Sequence, residues 1–249
     1  MNLSEKTALI TGGTIGIGAS IALDLARRGA NIAVVARHVS DDENSIQRQI
    51  AALGRQCLAI TADVAKAADC RRCVSETYAR FGSLDVLVHN AGGPSWGNID
   101  TVDEDQWQYT MDVHVNANYH LCRAALPHMR KSGEGAIITV SSAAGIRGVP
   151  NAIAYATAKG ALPQFTRSLA RDVADDNIRV NCVAPGVIRT RFHDEMTEEK
   201  KRYNLEHRIP LHREGTAEQV ADVVGMLVTN DYITGETITI DGGLTSRIV

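Results

Sequence analysis

Seven short, almost unbroken apolar runs recur along the chain: TALIT at 7–11, NIAVVA at 31–36, QCLAIT at 56–61, LDVLVHN at 84–90, AIITVS at 136–141, IRVNCVA at 178–184 and TITID at 237–241. They do not alternate in polarity, which is how strands covered on both faces of a parallel sheet read. Amphipathic stretches separate them, such as IALDLARRG after the first run and ADCRRCVSETYARFG after the third. Strand–helix alternation of this kind predicts an α/β chain with a doubly wound parallel sheet and helices on both faces. Its length of 249 residues suits one domain over 1–249. Ser40 with Glu43 reads as a capping box opening the helix after the second run. Gly29, Gly54 and Gly82 fall where left-handed helix caps are expected. The charged, irregular stretch 189–209 reads as an inserted lid with a short helix.

Composition narrows the class. Hydrophobic residues make up 44% and charged residues 22%, with a formal net charge of -3. That balance argues against a nucleic-acid partner. No run of about 18 apolar residues suggests a membrane span, and the start of the chain does not read as a signal segment. Cys57, Cys70, Cys73, Cys122 and Cys182 are odd in number and scattered, which fits a reducing, cytoplasmic setting better than a disulfide framework. Cys70 and Cys73 form a C-x-x-C, but no second pair lies at zinc-site spacing, so no metal is expected.

The first run enters a turn, Thr11-Gly12-Gly13-Thr14-Ile15-Gly16-Ile17-Gly18. A strand, a glycine turn and a helix start together make a phosphate cradle, because glycine permits close backbone approach and the free N–H groups bind an anion. The spacing is G-x-x-x-G-x-G rather than the dinucleotide G-x-G-x-x-G. At the end of the second run, where a carboxylate would bind ribose hydroxyls, stand Ala36, Arg37 and His38. No charge there repels a 2′-phosphate and Arg37 can pair with one, so NADP is favoured over NAD. A solvated Arg37 stacking on adenine is the plainer alternative.

Tyr155 and Lys159 are four residues apart in a predicted helix, hence on one face. A free tyrosine has a pKa of about 10, and lowering it by about three units needs roughly 4 kcal/mol. A cation at about 4 Å in an effective dielectric near 20 supplies about that amount. Ser142 ends the fifth run, at the strand edge where doubly wound sheets bind ligands. An unrelated surface Tyr and Lys would look the same in isolation. The upstream Ser142 and the glycine turn give the pair its weight.

With these motifs in order, the chain resembles the short-chain dehydrogenase/reductase family over essentially its full length, and more narrowly 3-oxoacyl-acyl-carrier-protein reductases and sugar dehydrogenases. Thr11–Gly18 matches the T-G-x-x-x-G-x-G turn. Asp63-Val64 matches the adenine-contacting pair, and His89-Asn90-Ala91-Gly92 matches N-N-A-G with one substitution. Ser142 and Tyr155-x-x-x-Lys159 match the catalytic residues, and Asn181–Thr190, with Pro185-Gly186, matches the nicotinamide segment. The resemblance implies a Rossmann-like fold and a hydride exchanged between a nicotinamide cofactor and a ketone or secondary alcohol. Gly12, Thr14, Ile15, Gly16, Ile17, Gly18, Asn90, Ala91 and Gly92 would hold the cofactor, and Ile188 and Thr190 would touch its carboxamide. Tyr155 would move the proton, Ser142 would stabilise the substrate oxygen, and Lys159 would lower the Tyr155 pKa and hold the ribose.

One departure stands out. The family's fourth catalytic residue, an Asn that helps hold a water leading from the lysine to solvent, falls on His114. Asn116, two residues on, points elsewhere. His114, with a pKa expected near neutrality, would keep a proton relay. A packed histidine, with the relay left to backbone and water, is the alternative.

Pro94, Ser95, Trp96, Arg147, Asn151 and the lid are the expected pocket walls. Arg147, Arg189 and Arg191 would suit a polar or anionic substrate, although such charges are more often solvated surface; the resemblance permits a sugar or polyol, a 3-oxoacyl thioester or a small ketone. The resemblance also implies a homotetramer formed through 103–131 and 150–175. The competing reading is a nucleotide-binding or sensing protein with weak catalysis.

Overall fold

A computed structural model describes residues 1–40, 42, 45–190 and 196–246. The strands are β1 (Thr7–Thr11), β2 (Asn31–Ala36), β3 (Cys57–Thr61), β4 (Val86–His89), β5 (Gly135–Val140), β6 (Ile178–Pro185) and β7 (Thr237–Ile240). They form one sheet in the order β3-β2-β1-β4-β5-β6-β7, with every pair parallel. The order reverses beside β1, so the neighbouring β1 and β4 edges form the crevice where such sheets receive ligands.

The helices are α1 (Gly16–Arg27), α2 (Ile46–Ala52), α3 (Ala67–Phe81), α4 (Glu104–Met111), α5 (Ala117–Ser132), α6 (Ile153–Asp172), α7 (Glu198–Tyr203) and α8 (Ala217–Thr229). Two apolar clusters sandwich the sheet. One joins Ile10, Val34 and Val88 to Ile21 and Leu25 of α1 and Val220 and Val224 of α8. The other joins Leu9, Val35, Leu87 and Ile137 to Val74 of α3 and Leu121 and Ala125 of α5. Adjacent strand residues feed opposite clusters, so each strand reads as a continuous apolar run. The result is a single-domain, Rossmann-like α/β fold.

Gly29, Gly54 and Gly82 have φ of +108°, +74° and +77°, as the cap reading expected. The capping box at Ser40 is a different matter. Helix α2 opens only at Ile46, with Ser45 at its N-cap, because its buried face begins with Ile46 and Ile50. Ser40 instead donates to Asp42 at 2.8 Å, and Glu43 lies outside the described residues. A full capping box occurs at α8, where Thr216 and Gln219 satisfy each other's backbone N–H. Cys70 and Cys73 of the C-x-x-C are buried in the α3 face, where burial pushes their thiols up to about 11 and about 12. No helix among the described residues is long and apolar enough to cross a membrane.

Candidate active site

The parallel register sets the C-terminal ends of β1, β4, β5 and β6 along one edge. There Thr11 pairs with His89 across β1 and β4. The Thr11 hydroxyl accepts the N–H groups of Asn90 at 3.2 Å and Ala91 at 3.1 Å. Its own proton is then free for His89 Nδ1 at 2.8 Å. That fixes the His89 tautomer: Nε2 carries the hydrogen and donates to the Val113 carbonyl at 3.0 Å. Burial pushes His89 down to about 4, keeping it neutral. Asn90 Nδ2 donates to the Gly12 carbonyl at 3.2 Å, tying the fourth strand's end to the glycine turn.

The turn is tight enough to exclude side chains. A Cβ on Gly12, whose φ is +63°, would lie 2.9 Å from Ala91 Cα, and one on Gly18 would lie 2.1 Å from the Gly12 carbonyl oxygen. Thr14, Ile15 and Ile17 are half-buried or exposed around the opening. Thr190 approaches from the far side, its Cγ2 3.5 Å from where a Gly16 Cβ would be. Gly186 donates its N–H to Ile240 at 2.9 Å, which sets the β6 exit beside β7. Pro185 and Ile188 are buried along that exit. Arg37 and His38 are exposed after β2, and Val64 is buried beside half-buried Asp63, whose carboxylate accepts the Ala65 N–H. The glycine turn, Asn90–Gly92 and the Pro185–Thr190 segment thus come together at the sheet edge. This cradle, which a Cβ would fill, fits a dinucleotide.

Ser142, Tyr155 and Lys159 meet next to it. Tyr155 and Lys159 sit one turn apart on α6, with the Lys159 ammonium 5.7 Å from the Tyr155 ring centroid. Tyr155 hydrogen-bonds with Ser142. Lys159 is buried, donates to the Val140 carbonyl at 2.7 Å, and is pushed down to about 8 by burial. Burial also pushes the Tyr155 phenol up from its ordinary value, and the Ser142 bond pulls it back. The expected lowering of Tyr155 by Lys159 is therefore not what this arrangement shows. A Coulomb argument from sequence omits the desolvation of a phenolate, which opposes it.

Ser141, not singled out from sequence, donates to the Lys159 carbonyl at 2.7 Å. With Val140 it clamps Lys159 at both ends. Strand alternation was the available signal: of Ser141 and Ser142, one had to face α6 while the other faced the cleft.

A five-residue π turn, Asp112–Asn116, joins α4 to α5. Side chains occupy two of its carbonyls, His89 on Val113 and Asn118 on His114 at 2.7 Å. Such turns often mark functional sites. The turn sets the His114 ring edge-on to Tyr155, with centroids 5.5 Å apart and planes at 86°. His114 Nε2 bonds the Gly93 carbonyl at 3.1 Å, while Nδ1 is buried without a hydrogen-bond partner. The ring lies against Gly92, where a Cβ would sit 2.0 Å from Cε1. Burial, then the Lys159 and His89 charges, push His114 down to about 2. The near-neutral pKa expected for His114 is thus overturned. Asn116 donates to Asp112 and, as expected, does not face the site.

The pocket walls divide. The Gly97 N–H donates to the Asn151 carbonyl at 2.9 Å, and Gln106 Nε2 donates to Ser95 Oγ and the Trp96 carbonyl, so the 94–97 loop and Asn151 adjoin. Lys200 of α7 lies 5.5 Å from the Trp96 ring, bringing the short helix expected in the lid onto this loop. Arg147 and Arg189 do not join them. Arg147 donates to the Thr245 carbonyl and Arg189 pairs with Glu214, while Arg191 lies outside the described residues.

The profile of a family described as enoyl-(acyl carrier protein) reductase matches residues 12–245. Human dehydrogenase/reductase SDR family member 4 is 37% identical over 253 aligned positions, covering 99% of this chain and 90% of that protein. The chain belongs to the short-chain dehydrogenase/reductase family. It is an NAD(P)-dependent oxidoreductase. The 3-oxoacyl-(acyl-carrier-protein) reductase FabG of Staphylococcus aureus is 37% identical over 241 positions, covering 96% of this chain and 98% of that protein. L-Sorbose reductase from Gluconobacter frateurii, solved with NADPH and L-sorbose, superposes with a TM-score of 0.91 at 31% identity and full coverage of both chains. A short-chain type dehydrogenase/reductase from Mycobacterium marinum gives 0.91 at 34% identity, covering 99% of this chain and 98% of that one.

Proposed function

We propose that this short-chain dehydrogenase/reductase interconverts a ketone and a secondary alcohol with NADP, on a sugar, polyol or 3-oxoacyl substrate. The observation that carries the reading is the meeting of Ser142, Tyr155 and Lys159 beside the glycine cradle. When bound, the nicotinamide supplies or accepts the hydride. Tyr155 gives its phenolic proton to the substrate oxygen in reduction and takes it back in oxidation. Ser142 donates a hydrogen bond to the same oxygen as negative charge develops there. Lys159, held by Val140 and Ser141, keeps its ammonium one helix turn from Tyr155 and holds the nicotinamide ribose, while the Ser142 hydrogen bond opposes the burial that disfavours the phenolate.

His114 remains a neutral ring that positions Gly92–Gly93 and the Tyr155 ring, leaving proton exit to backbone carbonyls and water. Gly12, Gly16 and Gly18 with the free N–H groups of α1 hold the pyrophosphate. Asp63 and Val64 flank adenine, and Ile188 and Thr190 border the carboxamide. Arg37, with no carboxylate at Ala36, supports NADP.

The 94–97 loop, Asn151 and the lid around α7 enclose the substrate. The exposed groove between α5 and α6, lined by Tyr119, Leu126, Phe165 and Leu169, packs against a second copy in a homotetramer. A spectrophotometric panel of 3-oxoacyl thioesters, ketoses and polyols, run with NADPH/NADP and NADH/NAD, tests the reading. Turnover of a ketone or alcohol with NADP preferred is the expected result. Cofactor binding without absorbance change on any substrate would favour a binding protein, and a large NADH preference would overturn the cofactor assignment.

A further inference from the structure

The adenosine end of the cradle carries a side-chain pair that the catalytic site does not use. Arg37 follows the last residue of β2, and its Nη1 donates to the Tyr109 hydroxyl oxygen at 3.3 Å, across 72 positions of sequence. Tyr109 lies on α4, four residues before Val113. Val113 is buried in one cluster with Val35 of β2 and Val64 after β3. Val64 belongs to the pair proposed to flank adenine, and the Arg37–Tyr109 bond ties α4 to the end of β2 on that side. Tyr109 is 47% exposed.

Ala36 and His38 flank Arg37 without a carboxylate, and among the described residues Arg37 forms no ion pair. An arginine offers five N–H donors in a fixed fork suited to phosphate oxygens. The hydrogen bond to Tyr109 uses the phenol as acceptor and leaves its O–H to donate. The fork and the hydroxyl together form a donor set for a phosphate monoester dianion.

We propose that Tyr109 is a specificity-determining residue for the nucleotide: it holds the Arg37 fork in place and donates its own hydroxyl hydrogen to a 2′-phosphate. This rests on the assignment of NADP to Arg37, and the test separates the two. Binding of adenosine 2′,5′-bisphosphate and of adenosine 5′-monophosphate is measured by calorimetry on the full chain, on Tyr109→Phe and on Arg37→Ala. Tyr109→Phe keeps the ring and removes one hydrogen-bonding group, so bisphosphate binding weakens about 3- to 10-fold. Monophosphate binding changes less than about 2-fold. Arg37→Ala removes charge-assisted bonds and weakens bisphosphate binding about 10- to 100-fold. If Arg37→Ala weakens bisphosphate selectively while Tyr109→Phe does not, the role of Tyr109 is refuted and the NADP assignment stands. Equal weakening of both ligands by Tyr109→Phe also refutes it, since the hydroxyl then serves adenine or the fold. If Arg37→Ala leaves both ligands unchanged, or the parent chain does not prefer the bisphosphate, the NADP assignment itself falls.

Discussion

His89 and His114 are held neutral inside the fold, at about 4 and about 2, against an ordinary value of 6.5. Below pH 6.5 the unfolded chain takes up a proton at each position while the folded chain does not. The unfolded state then binds more protons, and stability falls with pH. The loss begins near pH 6.5 and continues until the folded values are reached. Between pH 7.5 and pH 5.0 each histidine contributes a loss of about 2 kcal/mol, so the two together give about 4 kcal/mol. Replacing both with asparagine, the residue the family usually carries at these places, removes the titration. His89→Asn also disturbs the Thr11–His89–Val113 chain of hydrogen bonds, so absolute stability falls; the pH dependence is the readout. Urea unfolding followed by far-UV circular dichroism, at one protein concentration and both pH values, measures it. The parent chain should lose about 4 kcal/mol more than the His89→Asn/His114→Asn variant over this interval. Equal losses in the two, to within about 1 kcal/mol, would show that neither ring is held neutral.

Tyr155→Phe should lower kcat by about 10³-fold, while cofactor affinity, read from reduced-nicotinamide fluorescence, stays within about 2-fold; normal turnover would remove Tyr155 from the proton step. Gly92→Ala places a methyl 2.0 Å from His114 Cε1, so it should destabilise by about 1–3 kcal/mol, and less in a His114→Ala background. Equal melting-temperature losses in both backgrounds would mean that the ring is not what the methyl meets. Lys159, pushed down to about 8, is charged below that pH and neutral above it. Consequently kcat/KM for the reduced cofactor should fall about tenfold per pH unit above pH 8; a flat profile to pH 9.5 would mean that the ammonium is not required.

Local chemistry in the chain determined a good deal about this protein. Continuous apolar runs separated by amphipathic stretches specify a parallel sheet, because only two-sided burial makes a strand apolar throughout. The glycine turn and Ser142, Tyr155 and Lys159 were legible because each motif keeps a fixed spacing within one strand–helix unit. What the tertiary structure decided is what depends on neighbours distant in sequence. The Ser40–Glu43 signal yielded to the buried face starting at Ile46. Arg147 and Arg189, read as pocket charges, found partners at Thr245 and Glu214. Ser141 gained its place only when β5 met α6. The largest reversals are electrostatic, with Tyr155 raised rather than lowered and His114 far from neutrality; Lys159, for which no shift was expected, is lowered as well. Burial dominates all three shifts, and burial arises only when separate elements close over a side chain, so spacing along the chain carries no measure of it.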